Sequence, residues 1–169
     1  MSIQHCFNRG SVVPALKNTD KFEAIREIIH RASVFHEIDG EPAFEEAVMT
    51  RERLQSTGFG HGVAVAHGRT PGVPRVLIAM GVSHAGIPYD APDGKPVHLL
   101  FVIASPVHVT VDYLQALSTV VRCVRHQRVR ESLLDRCEAA ELEARIREAF
   151  TAQLEGCTDA AGQPCGAAG

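Results

Sequence analysis

Two almost wholly apolar runs constrain the fold of this chain more than any other feature of its sequence. They are VPRVLIAMGV (residues 73–82) and PVHLLFVIAS (residues 96–105), and the turn-forming cluster YDAPDGKP lies between them. A strand without polar alternation has no face to turn toward solvent, so both runs predict central strands covered on two sides. A shorter run, VAVA (residues 63–66), predicts another buried strand.

The covering layers are predicted to be helical, because apolar side chains recur at helical spacing before and after these strands. Residues 18–35, 39–58 and 110–125 each carry such a stripe. The second stripe comprises Phe44, Ala47, Val48 and Leu54, with Arg51 on the same face; the third comprises Leu114, Leu117, Val120, Val121 and Val124. Helices on both sides of buried strands predict an α/β (α+β) fold, a three-layer α/β/α sandwich.

Length and charge narrow the class of protein. The chain has 169 residues and a net charge of −3, without the basic excess that nucleic-acid binding requires. Its apolar runs are about half the length needed to cross a bilayer, and its first residues do not read as a secretory signal. We therefore expect a cytoplasmic protein that neither binds nucleic acid nor inserts into a membrane. One domain is predicted over residues 1–155, followed by a flexible C-terminal tail over residues 156–169.

The segment STGFGHGVAVAHGRT (residues 56–70) places His67 at the predicted tip of the short strand, with glycines close by. A largely neutral imidazole in that position can act as a nucleophile or as a metal ligand. Gly68 would let the backbone approach a bound group, and loop N–H groups together with Arg51 would suit a phosphoryl group. Spacing alone leaves the alternative open that His67 is a loop residue bonded to a carbonyl.

His61, between Gly60 and Gly62, is a second candidate site residue. His61 and His67 together would offer two metal ligands, but no carboxylate or cysteine completes a set at a recognisable spacing, so no metal is expected. Neither GFGHG nor GVSHAG matches a nucleotide-binding signature, and no Walker lysine follows. No ATP site is expected.

Three blocks of the sequence, in order, resemble a known family. FEEAVMTRERLQSTGFGHGVAVAHG, DGKPVHLLFVIASP and YLQALSTV look like successive motifs of the fructose/mannitol-type enzyme IIA domains of the bacterial phosphoenolpyruvate-dependent phosphotransferase system. The resemblance covers residues 12–150 and is greatest to the nitrogen-regulatory branch. It implies a mixed central sheet between helical layers. It also implies that His67 accepts a phosphoryl group from the phosphohistidine of an HPr-type carrier, that Arg51 stabilises that group, and that no cofactor is needed.

The chain departs from the family pattern at three positions. Ala66 stands where the family usually has proline before the active histidine, and Tyr113 stands where it carries a second histidine. His61 replaces a common asparagine, which would bring another imidazole near the phosphoryl group. His108 is a candidate substitute for the missing histidine, and Phe59 is a candidate apolar anchor for the carrier protein.

Three functions are compatible with these features. The chain is a phosphocarrier that passes the group from His67 to a sugar-permease IIB domain. Alternatively, it is a regulatory module whose phosphorylation changes its contacts with a transporter or kinase. The third alternative is a degenerate member that binds partners without phosphoryl chemistry, as Tyr113 and Ala66 suggest.

Overall fold

The computed structural model describes residues 3–156. After a 3₁₀ turn at Ile3–His5, five strands and five helices follow in the order β1, α1, α2, β2, β3, β4, β5, α3, α4, α5. The strands are β1 Val12–Val13, β2 Gly58–Gly60, β3 Val63–Arg69, β4 Leu77–Ile87 and β5 Val97–Ser105. The helices are α1 Lys21–Arg31, α2 Glu41–Leu54, α3 Thr110–Arg125, α4 Gln127–Leu133 and α5 Ala139–Glu155, and a second 3₁₀ turn spans Ser33–Glu37.

The strands form one mixed sheet in the order β1-β4-β5-β3-β2. The pairs β1/β4 and β3/β5 are parallel, whereas β4/β5 and β2/β3 are antiparallel. The two strongly apolar strands, β4 and β5, occupy interior positions in the sheet. The prediction that both are central strands is therefore confirmed, as is the mixed sheet that the family resemblance implied.

One hydrophobic cluster lies on each face of the sheet. The first joins α1 and α2 to the sheet through residues such as Ile28 and Phe44, and the second joins α3 and α5 through residues such as Val120 and Phe150. Most of these side chains are fully buried, and burying one such side chain contributes roughly 1.5–3 kcal/mol. The three-layer α/β/α sandwich predicted from the sequence is confirmed.

Strand β4 is displaced along the chain from its prediction. It begins at Leu77 rather than Val73, because two prolines, at positions 71 and 74, precede it and cannot donate to a sheet ladder. It continues past Val82 to Ile87, with an irregular register that ends near Gly86 at φ 87°. Glycine suits that left-handed position, which explains how the strand extends through GVSHAG.

Most of the apolar stripe predicted for α2 and for α3 faces the sheet, as the buried Phe44 and Val120 show. One leucine of each stripe is exposed instead. In α2, Leu54 is 80% exposed, and Glu52 takes the buried place beside Phe44 and Val48. In α3, Leu114 is 54% exposed, and Tyr113 faces the sheet instead. Both predictions assumed that the most apolar residue faces inward, and both fail where a polar group has partners inside.

The strand carrying His67 is longer than its run of apolar residues predicts. β3 runs through His67 to Arg69, so the prediction that it ends at His67 was wrong. Pairing with β5 continues from Val63↔Leu99 to Arg69↔Ser105, and this backbone ladder holds polar residues in the strand. Gly58–Gly60 forms β2, a short antiparallel partner of β3 that the sequence did not predict.

Helix α5 ends at Glu155, and Gly156 is its C-cap. The predicted tail therefore begins at the end of this helix, and residues 157–169 lie outside the described residues. Within residues 3–156, no helix is both long and apolar enough to cross a bilayer.

Candidate functional site

His67 lies in the middle of a strand, with its side chain on the α3 face of the sheet. Side chains alternate along β3: Val63 and Val65 belong to the cluster under α3, and Ala64 and Ala66 belong to the cluster under α2. The alternation places His67 on the first of these faces, where its ring lies 5.7 Å from the ring of Tyr113. The imidazole is half-buried.

The contacts of the His67 ring fix which nitrogen is available. Nδ1 lies 3.2 Å from the carbonyl oxygen of Val65, and a carbonyl can only accept, so Nδ1–H is the donor. Nε2 therefore keeps its lone pair. Burial lowers the pKa of His67; the bond to Val65 opposes this shift, and the charge of Arg51 adds to it. The ring is neutral at pH 7, which is the nucleophilic form.

Arg69, two residues along β3, joins His67 on the same face. Its Cζ lies 5.1 Å from the centre of the Tyr113 ring, in a cation–π arrangement. Its Nη2 donates to the Val107 carbonyl at 2.6 Å and to Thr110 Oγ1 at 3.1 Å. Its Nε is buried and has no hydrogen-bond partner among the residues described. Tyr113 thus contacts both an imidazole and a guanidinium.

The edge of the sheet is open beside His67. Strand β2 pairs with β3 only as far as Gly58↔Ala64, and the Val65 N–H reaches the Thr57 carbonyl at 3.2 Å. In the described part of the chain, no strand continues this edge. Because N–H groups of alternate residues point to the same side of a strand, those of His67 and Arg69 also face the edge. They add two backbone donors near the imidazole.

Arg51 lies close to the site but is turned toward its own helix. It occupies the last turn of α2, and its Nη1 donates to the Gln55 carbonyl at 2.9 Å. Its charge reaches both rings of the site, because it lowers the pKa of His67 and of Tyr113, although burial has the larger effect on each. In the structure described here, Arg51 makes no hydrogen bond to His67.

The structure gives a packing reason for glycine at position 68 that the sequence did not reveal. A Cβ at this position would lie 2.7 Å from Val48 Cγ2 and 3.0 Å from the Val48 backbone nitrogen. The absent side chain therefore lets helix α2 approach the strand, on the face opposite His67. The prediction that Gly68 also lets the backbone approach a bound group stays a prediction.

The structure separates His61 from His67. His61 occupies the β2–β3 turn at φ 55°, and its N–H donates to Asp93 Oδ2 at 2.9 Å. Val63, where β3 begins, is four residues before His67, so the turn is roughly 13 Å or more from His67 by strand rise. At that separation the structure gives no support to the prediction that His61 brings an imidazole near the phosphoryl group, which stays a prediction. Among residues 3–156, no three His, Cys, Asp or Glu side chains are grouped so that they could hold a metal ion.

The remaining candidates lie nearer the site. His108 is exposed in the loop before α3, next to the Val107 carbonyl that anchors Arg69. It makes no ring contact or hydrogen bond with His67 within the described residues. Phe59, in β2, is partly buried against the cluster under α3. Neither position tests the roles predicted for these residues.

A buried charged cluster supports the opposite face of β3. The Glu52 side chain is fully buried; it accepts from the Thr57 N–H at 3.0 Å and from Thr57 Oγ1, and it pairs with Lys21 Nζ at 3.2 Å. Tyr89 OH lies 3.2 Å from Thr57 Oγ1, and burial followed by the Glu52 charge raises the pKa of Tyr89. We call these four residues the Glu52 cluster. It ties α1, α2 and the start of β2 together.

The sequence reasoning missed Arg69 and Glu52. Arg69 was visible as the second residue after His67, but only a strand that continued past His67 would place both on one face. Glu52 had no such signal, because a glutamate in a helix is usually solvated.

Residues 5–149 match the family model described as the phosphoenolpyruvate-dependent sugar phosphotransferase system, EIIA 2. The chain belongs to this EIIA 2 family. Nitrogen regulatory proteins are among its relatives: that of Pseudomonas aeruginosa is 34% identical over 83% of this chain and 81% of its own length. That of Bradyrhizobium diazoefficiens is 32% identical over 73% of this chain and 80% of its own.

Sugar-specific members of the EIIA 2 family are also similar. The fructose-specific EIIABC component of Bacillus subtilis is 30% identical over 80% of this chain, which spans only 21% of that protein. Among solved structures, the nitrogen regulatory protein IIA-Ntr of Neisseria meningitidis has a TM-score of 0.77 at 30% identity, covering 85% of this chain and 98% of its own. Enzyme IIA-mannitol of Escherichia coli, in complex with phosphorylated IIB-mannitol, shares the fold at a TM-score of 0.69 and 19% identity, covering 86% and 96% of the two chains. Family membership supports a phosphocarrier or regulatory role.

Proposed function

We propose that this EIIA 2 protein accepts a phosphoryl group on Nε2 of His67 from the phosphohistidine of an HPr-type carrier. One observation carries the proposal: His67 is half-buried and neutral, and its Nδ1–H is tied to the Val65 carbonyl, so that Nε2 presents a lone pair. A neutral, oriented imidazole is the form that a phosphoryl acceptor requires.

The step balances without a cofactor. The Nε2 lone pair of His67 forms the new N–P bond while the N–P bond of the donor breaks, and that electron pair returns to the donor imidazole. The donor ring leaves as a neutral imidazole because its other nitrogen carries a proton. The ring of His67 becomes the phosphorylated equivalent and keeps its proton on Nδ1. No net proton transfer is needed, so a metal or external base has no task in this scheme.

The surroundings of His67 suit the developing charge. The N–H groups on the open edge of β3 and the nearby charge of Arg51 are positive, and phosphoryl transfer depends mainly on positioning and electrostatic stabilisation. Nη1 of Arg51 donates to the Gln55 carbonyl. The guanidinium has further N–H donors on Nη2 and Nε, with which it can bind phosphoryl oxygens.

Incubation with enzyme I, HPr and radiolabelled phosphoenolpyruvate tests the proposal. The wild-type protein should take up one phosphoryl group, with the acid lability of phosphohistidine, and His67→Ala should take up none. His61→Ala and His108→Ala are matched controls that should keep the label. Both HPr types, sugar and nitrogen, should be compared as donors. Label retained by His67→Ala would refute the assignment.

A regulatory use of the same group is the second candidate. It is favoured by the two nitrogen regulatory relatives, each of which this chain matches over about four fifths of its length. Adding a fructose- or mannitol-type IIB domain to the labelled protein separates the two functions. Rapid transfer of the label to IIB supports a sugar phosphocarrier. A label that stays on His67, and that alters binding to a transporter or kinase, supports a regulatory mark.

A further inference from the structure

We propose that Arg69, held against the ring of Tyr113, is the cation that binds the phosphoryl group on the α3 side of His67. This inference rests on the proposed function, because it assumes that His67 carries the group. It assigns a role to a residue that neither the sequence motifs nor the family resemblance had singled out.

The placement of Arg69 is the first argument. His67 and Arg69 are two residues apart on one strand, so their side chains leave the same face, with Cα atoms about 7 Å apart. The ring of Tyr113 contacts both, at 5.7 Å from the imidazole centre and 5.1 Å from the guanidinium carbon. A phosphoryl group on Nε2 of His67 would extend from the imidazole by one N–P and one P–O bond. Its oxygens would bond the guanidinium beside the ring of Tyr113, which both groups contact.

The anchoring of Arg69 is the second argument. Nη2 donates two hydrogen bonds, to the Val107 carbonyl and to Thr110 Oγ1, which join the side chain to the start of α3. A guanidinium fixed in this way loses little conformational entropy when an anion binds. Its Nε is buried without a partner among the described residues, and an unsatisfied buried donor is destabilising until an acceptor arrives. A phosphoryl oxygen is such an acceptor.

The chemistry of Tyr113 is the third argument. Tyrosine cannot supply the positive charge that a protonated histidine would bring to the same position. Burial raises the pKa of Tyr113, although Arg69 and Arg51 oppose the shift, so the phenol stays neutral and adds no negative charge beside the phosphoryl group. The tyrosine ring instead offers a flat surface on which an arginine can stack. Tyr113 is therefore a positioning residue for Arg69, and the positive charge beside the phosphoryl group comes from Arg69 in β3.

Transfer kinetics test the role of Arg69. With phosphorylated HPr as donor, Arg69→Gln should lower the rate constant of transfer about 100-fold, the usual cost of removing one transition-state donor. Arg69→Lys should recover part of the loss, because it restores a point charge without the planar fork. Arg122→Gln is the matched control: its Nε is also buried and unpartnered, but Nη2 bonds Thr119 on the same helix. The control should transfer at the wild-type rate.

Variants of Tyr113 separate positioning from folding. Tyr113→Phe keeps the stacking surface and should retain most of the wild-type rate, whereas Tyr113→Leu should lower kcat about 10-fold with little change in KM for the donor. A purely structural role would instead lower the melting temperature and leave the kcat of the folded fraction intact. Wild-type kinetics in both Arg69→Gln and Tyr113→Leu would overturn the proposal.

A measurement without HPr tests the role of Arg69 separately from the proposal that HPr is the phosphoryl donor. Potassium phosphoramidate can phosphorylate His67 directly, with His67→Ala as the labelling control. In the ¹⁵N NMR spectrum, the Arg69 Nε–H signal should then shift and exchange more slowly with solvent, and the Arg122 Nε–H signal should stay unchanged. A shift in a protein that HPr does not label would refute the donor but support Arg69. An Arg69 signal that does not move when His67 is phosphorylated would overturn the role of Arg69.

Discussion

The Glu52 cluster and the site around His67 lie on opposite faces of β3 and differ in how completely their charges are bonded. Glu52 is fully buried and has Lys21, Thr57 and the nearby Tyr89 hydroxyl around it. The cluster of His67, Arg69 and Tyr113 (the His67 cluster) is partly open: within residues 3–156, Nε2 of the imidazole and Nε–H of the guanidinium have no hydrogen-bond partner. A fully bonded charge fixes the backbone, and an incompletely bonded one beside a nucleophile is available to a ligand. The Glu52 cluster should therefore govern the stability of the fold, and the His67 cluster should govern phosphoryl transfer.

Breaking the Glu52 cluster should have the largest effect on stability. Glu52→Gln removes the fully buried carboxylate that pairs with Lys21 and leaves the mostly buried ammonium with the more distant, exposed Asp90. Breaking a buried ion pair in this way costs about 3 kcal/mol or more of unfolding free energy. Urea unfolding of the variant and of the wild type measures the difference. Glu46→Gln, which breaks an exposed pair with Arg53 on the same helix, is the control and should cost less than about 1 kcal/mol. Equal losses in both variants would contradict the distinction between the two clusters.

Gly68 lies between the two clusters and should show an intermediate effect. Gly68→Ala places a methyl group 2.7 Å from Val48 Cγ2, and overpacking of this kind costs about 1–3 kcal/mol. Chemical denaturation measures the loss. In a double-mutant cycle, Val48→Ala should relieve part of it, because the side-chain contact disappears while the contact with the backbone nitrogen remains. Strict additivity of the two substitutions would show that the helix contact is not the cause.

The sequence predicted the layers of the fold better than the details of either cluster. Long apolar runs identified β4 and β5 as central strands because burial on two faces leaves no other pattern. The helix predictions failed at Leu54 and Leu114, because they place apolar side chains in the interior. They cannot foresee that a glutamate or a tyrosine is buried instead, where it has partners inside the fold. His67 and Arg51 were predicted as site residues from their motif.

Arg69 illustrates what the motif could not supply. Its importance depends on β3 continuing for two residues beyond the apolar run, on α3 turning Tyr113 inward, and on Val107 presenting a carbonyl. Each of these is a tertiary fact. The polar end of a strand reads as loop in a single sequence, because ladder bonds to a distant strand are not encoded in local periodicity.

The titration of His67 should make the free energy of unfolding depend on pH, and this contribution comes from the His67 cluster. Its folded pKa lies below the unfolded value of 6.5, mainly through burial, so the unfolded chain takes up a proton that the folded ring does not. Stability is therefore complete above pH 6.5 and is lost as pH falls through 6.5 toward the folded pKa. The charges of Arg51 and Glu52 from α2 act on the ring, and Tyr113 from α3 contacts it. Arg69 from β3 lies against the same tyrosine.

Unfolding free energies at pH 7 and pH 5, in the wild type and in His67→Gln, measure this contribution. The wild type should lose more stability on acidification than the variant, by an amount that isolates His67 from the other histidines of the chain. His36→Gln, which removes an exposed histidine on the 3₁₀ turn before α2, is the control and should follow the wild-type dependence. A variant that loses as much stability as the wild type would mean that the His67 ring is not shielded from solvent.

The smallest effect is expected at His61, although this histidine lies only six residues from His67. It occupies a left-handed turn at φ 55°, a conformation that asparagine also adopts readily, and its backbone N–H donates to Asp93. His61→Asn should therefore change the unfolding free energy by less than about 0.5 kcal/mol and leave the rate of phosphoryl uptake unchanged. Denaturation and the transfer assay measure both quantities on one preparation. A tenfold slower uptake would mean that the hairpin turn reaches the phosphoryl group. The functional site would then extend along β3 as far as the β2–β3 turn and would not be confined to the His67 cluster.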